Sequence, residues 1–129
     1  MTDFIPDCEN LEKIRANYGN IQTEEELISF IKLVESVNCK EAVPYFASAT
    51  MQKAQYALAP WTKYRYFLSG NKMLEDHIKS NPGDIDARYI RFLVQTHAPF
   101  FLGYNNKIDI DEMFIRQNIE EYQMSRTYK

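Results

Sequence analysis

The segment that most constrains the fold is the turn Ser80-Asn81-Pro82-Gly83-Asp84, which separates two amphipathic stretches. Large apolar residues approach this turn and leave it at helical spacing: Leu68, Leu74, Ile78, Ile85, Tyr89, Phe92 and Leu93. The residue before a proline is disfavoured in the α conformation, and glycine readily supplies a turn, so one helix ends here and another begins. The segment from Lys63 to Gln95 is therefore predicted to form a helical hairpin.

Local signals predict further helices on both sides of this hairpin. Thr23, followed three residues later by Glu26, forms a capping box directly before an apolar stripe. The helices are expected over about residues 10–17, 23–37, 42–58, 62–79, 84–96 and 109–122, with Asp84 or Asp86 as the cap of the fifth. Pro60 is expected to end the helix before it, and Gly70 to mark a close crossing of two helices. Because no segment alternates as a strand would, the predicted fold class is all-α.

The predicted architecture is a compact antiparallel bundle of about five or six helices. At 129 residues the chain is long enough to bury a core of its own. We expect a single domain over residues 1–129, with an N-terminal segment over about 1–20 that contains a short helix. The tail over about 125–129 is expected to fray.

Charge is distributed unevenly along the chain, although the net charge is only −3. Residues 1–43 hold nine acids and four bases, residues 44–107 hold four acids and eight bases, and residues 108–129 hold five acids and three bases. The whole chain lacks the excess of Lys and Arg that is typical of nucleic-acid-binding proteins, so no nucleic-acid partner is predicted. The basic middle favours complementary contacts between helices of the chain, with an anionic partner as the alternative.

The sequence contains no recognisable catalytic, metal-binding or nucleotide-binding motif. Cys8 and Cys39 are the only cysteines and form no CxxC pair, and His77 and His97 lie too far apart for a metal-ligand motif. The paired acids lie at helix starts or on polar faces, which lack the partly dry environment that acid–base catalysis needs. We therefore predict that the protein is not an enzyme and has no catalytic residues, cofactor or metal.

The sequence also indicates where the protein resides. Residues Met1 to Asp7 lack a leader pattern, and no apolar run is long enough to span a bilayer. Two cysteines do not make a disulfide scaffold, so both thiols are expected to be reduced. The predicted location is cytoplasmic, without a membrane partner.

The first candidate binding surface is a polar stripe on the helix after the turn. Asp84, Arg88, Arg91 and Gln95 share one side of this helix, away from its apolar side. Two arginines one turn apart can hold a carboxylate or phosphate. The alternative is an ordinary solvated face with an ion pair between Asp84 and Arg88.

The second candidate is the segment Trp61-Thr62-Lys63-Tyr64-Arg65-Tyr66, in which bases alternate with aromatic residues. Such a pattern can support single-stranded nucleic acid through stacking and charge. However, Tyr64 also shares an apolar stripe with Phe67 and Leu68. Packing in the core or an interface is therefore the favoured interpretation of this segment.

An unusually apolar loop follows the hairpin, from Pro99 to Tyr104. Loops normally run over the surface, so these side chains must either fold back onto the core or form an exposed patch. Arg88 and Arg91 lie on the helix that leads into this loop. We therefore also expect these arginines to donate hydrogen bonds to carbonyls of residues 100–104.

Part of the chain resembles known helical families. The segment GNKMLEDHIKSNPGDIDARYIR, from Gly70 to Arg91, resembles the junction between two tetratricopeptide repeats, with Pro82 where that repeat expects it. Over about residues 44–120 the chain looks like a family of small bacterial helical proteins. The shared features are an Asn-Pro turn at Asn81, an I-x-x-R-Y-I-R-F-x-x-Q helix from Ile85, and a P-x-F-L-x-Y loop from Pro99. The resemblance implies TPR-like helical hairpins and no particular activity, and the lack of a 34-residue period favours a bundle over a stacked array.

These observations lead to two functional hypotheses. Nine Tyr and eight Phe in a helical-hairpin architecture favour a protein- or peptide-interaction domain. The alternative is a binder of a small anionic ligand in an Arg- and Tyr-lined groove. The chain is also expected to be able to form a homodimer. The candidate binding surface consists of Lys63, Arg88, Arg91, Gln95, Phe101 and Tyr104.

Overall fold

The computed structural model describes residues 10–37, 39–97 and 107–127. The α-helices in these residues are α1 (Leu11–Tyr18), α2 (Glu24–Glu35), α3 (Val43–Gln52), α4 (Pro60–Ser80), α5 (Ile85–His97) and α6 (Ile108–Thr127), with 3₁₀ turns at Lys40–Ala42 and Lys53–Tyr56. No β-strand occurs in the described residues, and the predicted all-α fold class is confirmed. The last helix continues to Thr127, and the expected fraying over about residues 125–129 stays a prediction.

The chain divides into two compact units, Met1–Asp76 and His77–Lys129. The expected single domain over residues 1–129 stays a prediction.

In the first unit, α2 begins as the sequence predicts. The Thr23 side chain accepts a hydrogen bond from the Glu26 backbone N–H, and the Glu26 carboxylate accepts one from the Thr23 N–H, each at 3.1 Å. The buried apolar residues of this unit include Leu11, Ile14, Leu27, Phe30, Val34, Ala47, Met51 and Leu74. The Tyr18 ring contacts the rings of Phe30 and Tyr45, and its hydroxyl lies 2.7 Å from Ser48 Oγ. The amphipathic stripes of α1 and α2 therefore close over α3.

Gly70 confirms the predicted close crossing, which is between α3 and α4. A Cβ atom placed on Gly70 would lie 2.5 Å from both the Ala47 carbonyl oxygen and Met51 Cγ. The two backbones meet at a distance that only glycine permits, and α4 runs through this point without interruption.

Prolines mark the start of both of these helices. Pro44 lies in the first turn of α3, as expected. Pro60 is the first residue of α4, because a missing N–H has no cost at that position. The single helix expected over about residues 42–58 is wrong at its end, since α3 stops at Gln52 and a 3₁₀ turn follows, as is common at helix termini.

In the second unit, the predicted turn joins the end of α4 to α5. Asp84 is the cap of α5: its Oδ1 accepts a hydrogen bond from the Ala87 N–H at 3.2 Å. Its Oδ2 lies 2.7 Å from Nε2 of the buried His77. The Asn81 amide donates to the His77 carbonyl at 3.0 Å. One carboxylate thus caps one helix while contacting the end of the other.

The second unit is completed by α6, which packs against α5 in an antiparallel arrangement. The order of the contacts shows the direction, since Gln95 meets Lys107 and Arg91 meets Asp111. Residues 98–106, which connect the two helices, lie outside the described part of the chain.

Two observations bear on the environment of the protein. In the described residues, no helix has the length and apolar character that a membrane span requires. Cys39 is disulfide-bonded, so the expectation of a reduced thiol is wrong for this residue, and Cys8 lies outside the described residues.

Candidate functional site

The polar stripe of α5 is buried against α6 and is not solvated. Arg91 donates from Nε to Asp111 Oδ2 and from Nη2 to Asp111 Oδ1, both at 2.7 Å. Asp111 is 0% exposed and Arg91 is buried. The solvated-face interpretation of this stripe is therefore wrong, because α6 supplies a carboxylate that pairs with the guanidinium in the interior.

Arg88 extends the same cluster toward the edge of α5 and α6. Its Nη1 lies 3.6 Å from Asp111 Oδ1, and its Nε donates to the Pro82 carbonyl at 3.2 Å. The guanidinium carbon lies 4.4 Å from the centroid of the Phe114 ring, which adds a cation–π contact. Arg88 thus pairs with Asp111, and not with Asp84 as the solvated-face alternative expected.

Gln95 closes the other end of the same face. Its buried side chain accepts a hydrogen bond at Oε1 from the Lys107 N–H at 3.0 Å. This hydrogen bond therefore connects α5, before the apolar loop from Pro99 to Tyr104, to Lys107 after it. The arginine contacts expected with the loop carbonyls fall on residues outside the described range.

Three of the six candidate site residues share one contact region in the second unit. Arg88, Arg91 and Gln95 line the contact between α5 and α6. Lys63 belongs to the other unit, where its Nζ donates to the Ala54 carbonyl at 3.0 Å. Phe101 and Tyr104 lie outside the described residues.

Of the two alternatives for the segment around Trp61, the core and an interface, the structure excludes the core, because its apolar side chains are exposed. Leu58, in the bend before α4, is 97% exposed, and on α4 itself Trp61 is 69%, Tyr64 54% and Leu68 45% exposed. Arg65 lies among them and is also exposed. We call these five residues the α4 face. Trp61, Tyr64 and Leu68 follow one another at spacings of three and four residues, so they form one continuous stripe.

The α4 face is exposed because the opposite side of α4 is the one that packs. Gly70, Leu74 and Ile78 are buried. A residue nine positions from Gly70 lies about 180° around the helix at roughly 100° per residue, and this is the position of Trp61. The signal was present in the sequence: a glycine at a helix crossing identifies the inner side, and the stripe opposite it must face outward.

The segment of the chain that contains the α4 face is positively charged. From Ala42 to Leu74 the chain contains no Asp or Glu and four bases. Lys53 Nζ lies 4.8 Å from the centroid of the Tyr66 ring, and Lys72 donates to Asp76 one turn further along α4. Arg65 has no hydrogen-bond or ion-pair partner in the part of the chain that the structure describes.

A concave surface lies between α1 and α2. This groove has a volume of about 490 Å³ and is lined by Lys13, Asn17, Asn20, Ile21, Glu25, Glu26, Ser29, Phe30 and Leu33. The Asn17 and Asn20 amides donate to backbone carbonyls of α1, so their polar groups are used locally. Six of the nine lining residues are polar or charged, so the groove is less apolar than the α4 face.

No cluster of His, Cys, Asp and Glu with the geometry of a metal site occurs in residues 10–37, 39–97 and 107–127. No protein-family model, curated protein or solved structure matches the chain. What the structure defines is the class of an all-α protein built of packed helices. The resemblance to tetratricopeptide repeats stays a prediction.

Proposed function

We propose that this protein is a non-enzymatic protein- or peptide-interaction domain that binds its partner through the α4 face. The observation that carries the proposal is the continuous exposure of Leu58, Trp61, Tyr64 and Leu68. With about 200 Å² for each full side chain, these residues expose on the order of 500 Å². Apolar patches of this size on soluble proteins mark interaction surfaces, whereas isolated exposed apolar residues do not.

The composition of the face supports the same function. Trp, Tyr and Arg are the residues most enriched among those that dominate binding energy at protein interfaces. Trp61, Tyr64 and Arg65 provide one of each within two turns of helix. Their spacing on α4 suits a second helix laid along the first.

The experiment is a comparative capture from native lysate with matched variants of the full chain. Trp61→Ser disrupts the α4 face, and Ile28→Ser removes an apolar residue that is 48% exposed on α2. We expect proteins retained by the wild type and by Ile28→Ser to be lost from Trp61→Ser, with equal melting temperatures for all three. Retention of the same proteins by Trp61→Ser would contradict the proposal.

The alternative, a small anionic ligand held by Arg88 and Arg91, has less support. The Arg91 donors Nε and Nη2 are already bonded to the carboxylate of Asp111. An anionic ligand would have to replace a buried internal partner. A thermal-shift screen against anionic metabolites tests this alternative, because a ligand that binds the folded state raises the melting temperature.

The cytoplasmic location proposed from the sequence has its own test. It predicts that Cys8 and Cys39 both react with a maleimide reagent in rapidly lysed cells. The disulfide at Cys39 predicts instead that this residue does not react with maleimide before reduction. Disulfides persist mainly in oxidising compartments. The extent of labelling before and after reduction distinguishes the two.

A further inference from the structure

The α4 face combines apolar and cationic groups in a way that specifies the chemistry of its partner. Arg65 lies between the exposed side chains of Trp61, Tyr64 and Leu68, one turn from Trp61 and one from Leu68. No carboxylate in the described residues neutralises it. A partner that covers the apolar stripe must also cover this guanidinium, and burying a charge is costly unless an opposite charge accompanies it.

We infer that the partner is an acidic amphipathic helix, whose apolar side covers Leu58, Trp61, Tyr64 and Leu68 and whose carboxylate pairs with Arg65. This inference rests on the proposed function and adds the chemical class of the partner. A carboxylate matches the planar fork of a guanidinium and can accept two hydrogen bonds from it. The apolar stripe from Trp61 to Leu68 extends about 10 Å along α4, which two turns of a partner helix can cover.

The surrounding charge selects against a second copy of the same surface. A symmetric dimer places the same patch of both subunits face to face. Here that would bring Arg65 of each copy near its counterpart, in a region without acids from Ala42 to Leu74. Like charges opposed in this way disfavour the self-complex and leave an acidic partner as the complementary one.

Other anionic partners fit the α4 face less well. Trp61 and Tyr64 offer rings on which a nucleobase could stack, but Arg65 is the one base of the α4 face, and it has no partner among the described residues. Nucleic-acid binding and stable attachment to anionic lipid both depend on several basic contacts at once. One cation set among four apolar side chains is better matched by one carboxylate on an apolar helix.

The test uses the only tryptophan of the chain, Trp61, as a reporter within the surface itself. Three synthetic helical peptides without Trp share one apolar stripe and carry Glu, Gln or Lys on the flanking polar positions. Binding to the full-length protein is followed through Trp61 emission. We expect the Glu peptide to bind about three- to tenfold more tightly than the Gln peptide, and the Lys peptide most weakly. Raising the salt to about 0.5 M should reduce the advantage of the Glu peptide.

Variants assign the preference to a single residue. Arg65→Gln should bind the Glu and Gln peptides equally, while Lys32→Gln, which removes an exposed charge on α2, should behave as the wild type. Equal affinity of the wild type for the Glu and Gln peptides would overturn the acidic partner and leave the interaction surface intact. A Trp61 signal with an oligonucleotide or with anionic vesicles, and none with the Glu peptide, would overturn it in favour of those ligands. If no peptide changes the Trp61 emission, and Trp61→Ser captures the same proteins from lysate as the wild type, both proposals would be contradicted.

Discussion

At the scale of single residues, Asp111 has the most demanding environment in the described structure. Its carboxylate is fully buried, accepts two hydrogen bonds from Arg91 and lies near Arg88. The desolvation of these charges is offset only while both signs are present. The carboxylate therefore determines whether the α5 arginines can lie in the interior.

Asp111→Ala should lower the free energy of unfolding by about 3–5 kcal/mol, because it leaves the buried Arg91 without its partner. Asp76→Ala is the matched control: Asp76 pairs with Lys72 on an exposed helix surface, so its loss should change stability by less than about 1 kcal/mol. Urea unfolding of both variants measures the difference. Similar small losses in the two would show that the Arg91–Asp111 pair does not support the second unit.

The sequence correctly predicted that Arg88, Arg91 and Gln95 lie on one side of a helix. It did not predict whether that side faces the interior or solvent. Polar residues at helical spacing normally face water. Whether they face inward depends on a complementary charge from elsewhere in the chain, here Asp111, twenty residues after Arg91. Helical periodicity contains no information about such a partner.

At the scale of elements, Gly70 determines how closely α3 and α4 approach. Gly70→Ala would gain about 1 kcal/mol of helix propensity, but the new methyl would lie 2.5 Å from the Ala47 carbonyl oxygen. Because a backbone carbonyl cannot move aside as a flexible side chain can, we expect a net destabilisation of about 1–3 kcal/mol. The exposed neighbour Ser69→Ala should be neutral or slightly stabilising. Thermal unfolding compares the two, and a stabilised Gly70→Ala variant would refute the close crossing.

Asp84 links the two helices of the predicted hairpin. Asp84→Ala removes the cap from the Ala87 N–H and the partner of the buried His77, so a loss of about 1–3 kcal/mol is expected. Asp84→Asn keeps an acceptor oxygen at the cap and should cost less than the alanine variant. Chemical denaturation distinguishes them. Equal losses would mean that the carboxylate charge, and not the capping hydrogen bond, stabilises this turn.

Element starts were predicted well because their signals are local. The Thr23–Glu26 capping box, Pro44 in a first turn and the Asn81-Pro82 turn each depend on residues a few positions apart. Pro60 was misinterpreted, since a proline is compatible with the start of a following helix as well as with the end of a preceding one. Local sequence does not distinguish these two when both neighbours are helical.

At the scale of the whole molecule, α4 carries both a core side and an exposed apolar side. Trp61→Ala should leave the free energy of unfolding within about 0.5 kcal/mol of the wild type, because its side chain is largely in solvent. Leu74→Ala, on the buried side of the same helix, should cost about 2–5 kcal/mol. Calorimetry on the two variants tests this division. A large loss for Trp61→Ala would show that the aromatic residue packs within the protein and is not available to a partner.

Helix-forming patterns, capping residues and turn residues were enough to predict an all-α chain and most helix starts, because each acts within one or two helical turns. They did not indicate which side of α4 and of α5 is covered. Tyr64 and Leu68 were expected in the core or an interface and are exposed, while Arg91 and Gln95 were expected on a binding surface or a solvated face and are buried. Burial depends on which helix lies opposite and on which groups of that helix make the contact. Opposite α4, the Ala47 carbonyl leaves room only for a glycine at position 70. Opposite α5, the Asp111 carboxylate neutralises Arg91. Those neighbours are distant in the chain and are brought near only by folding.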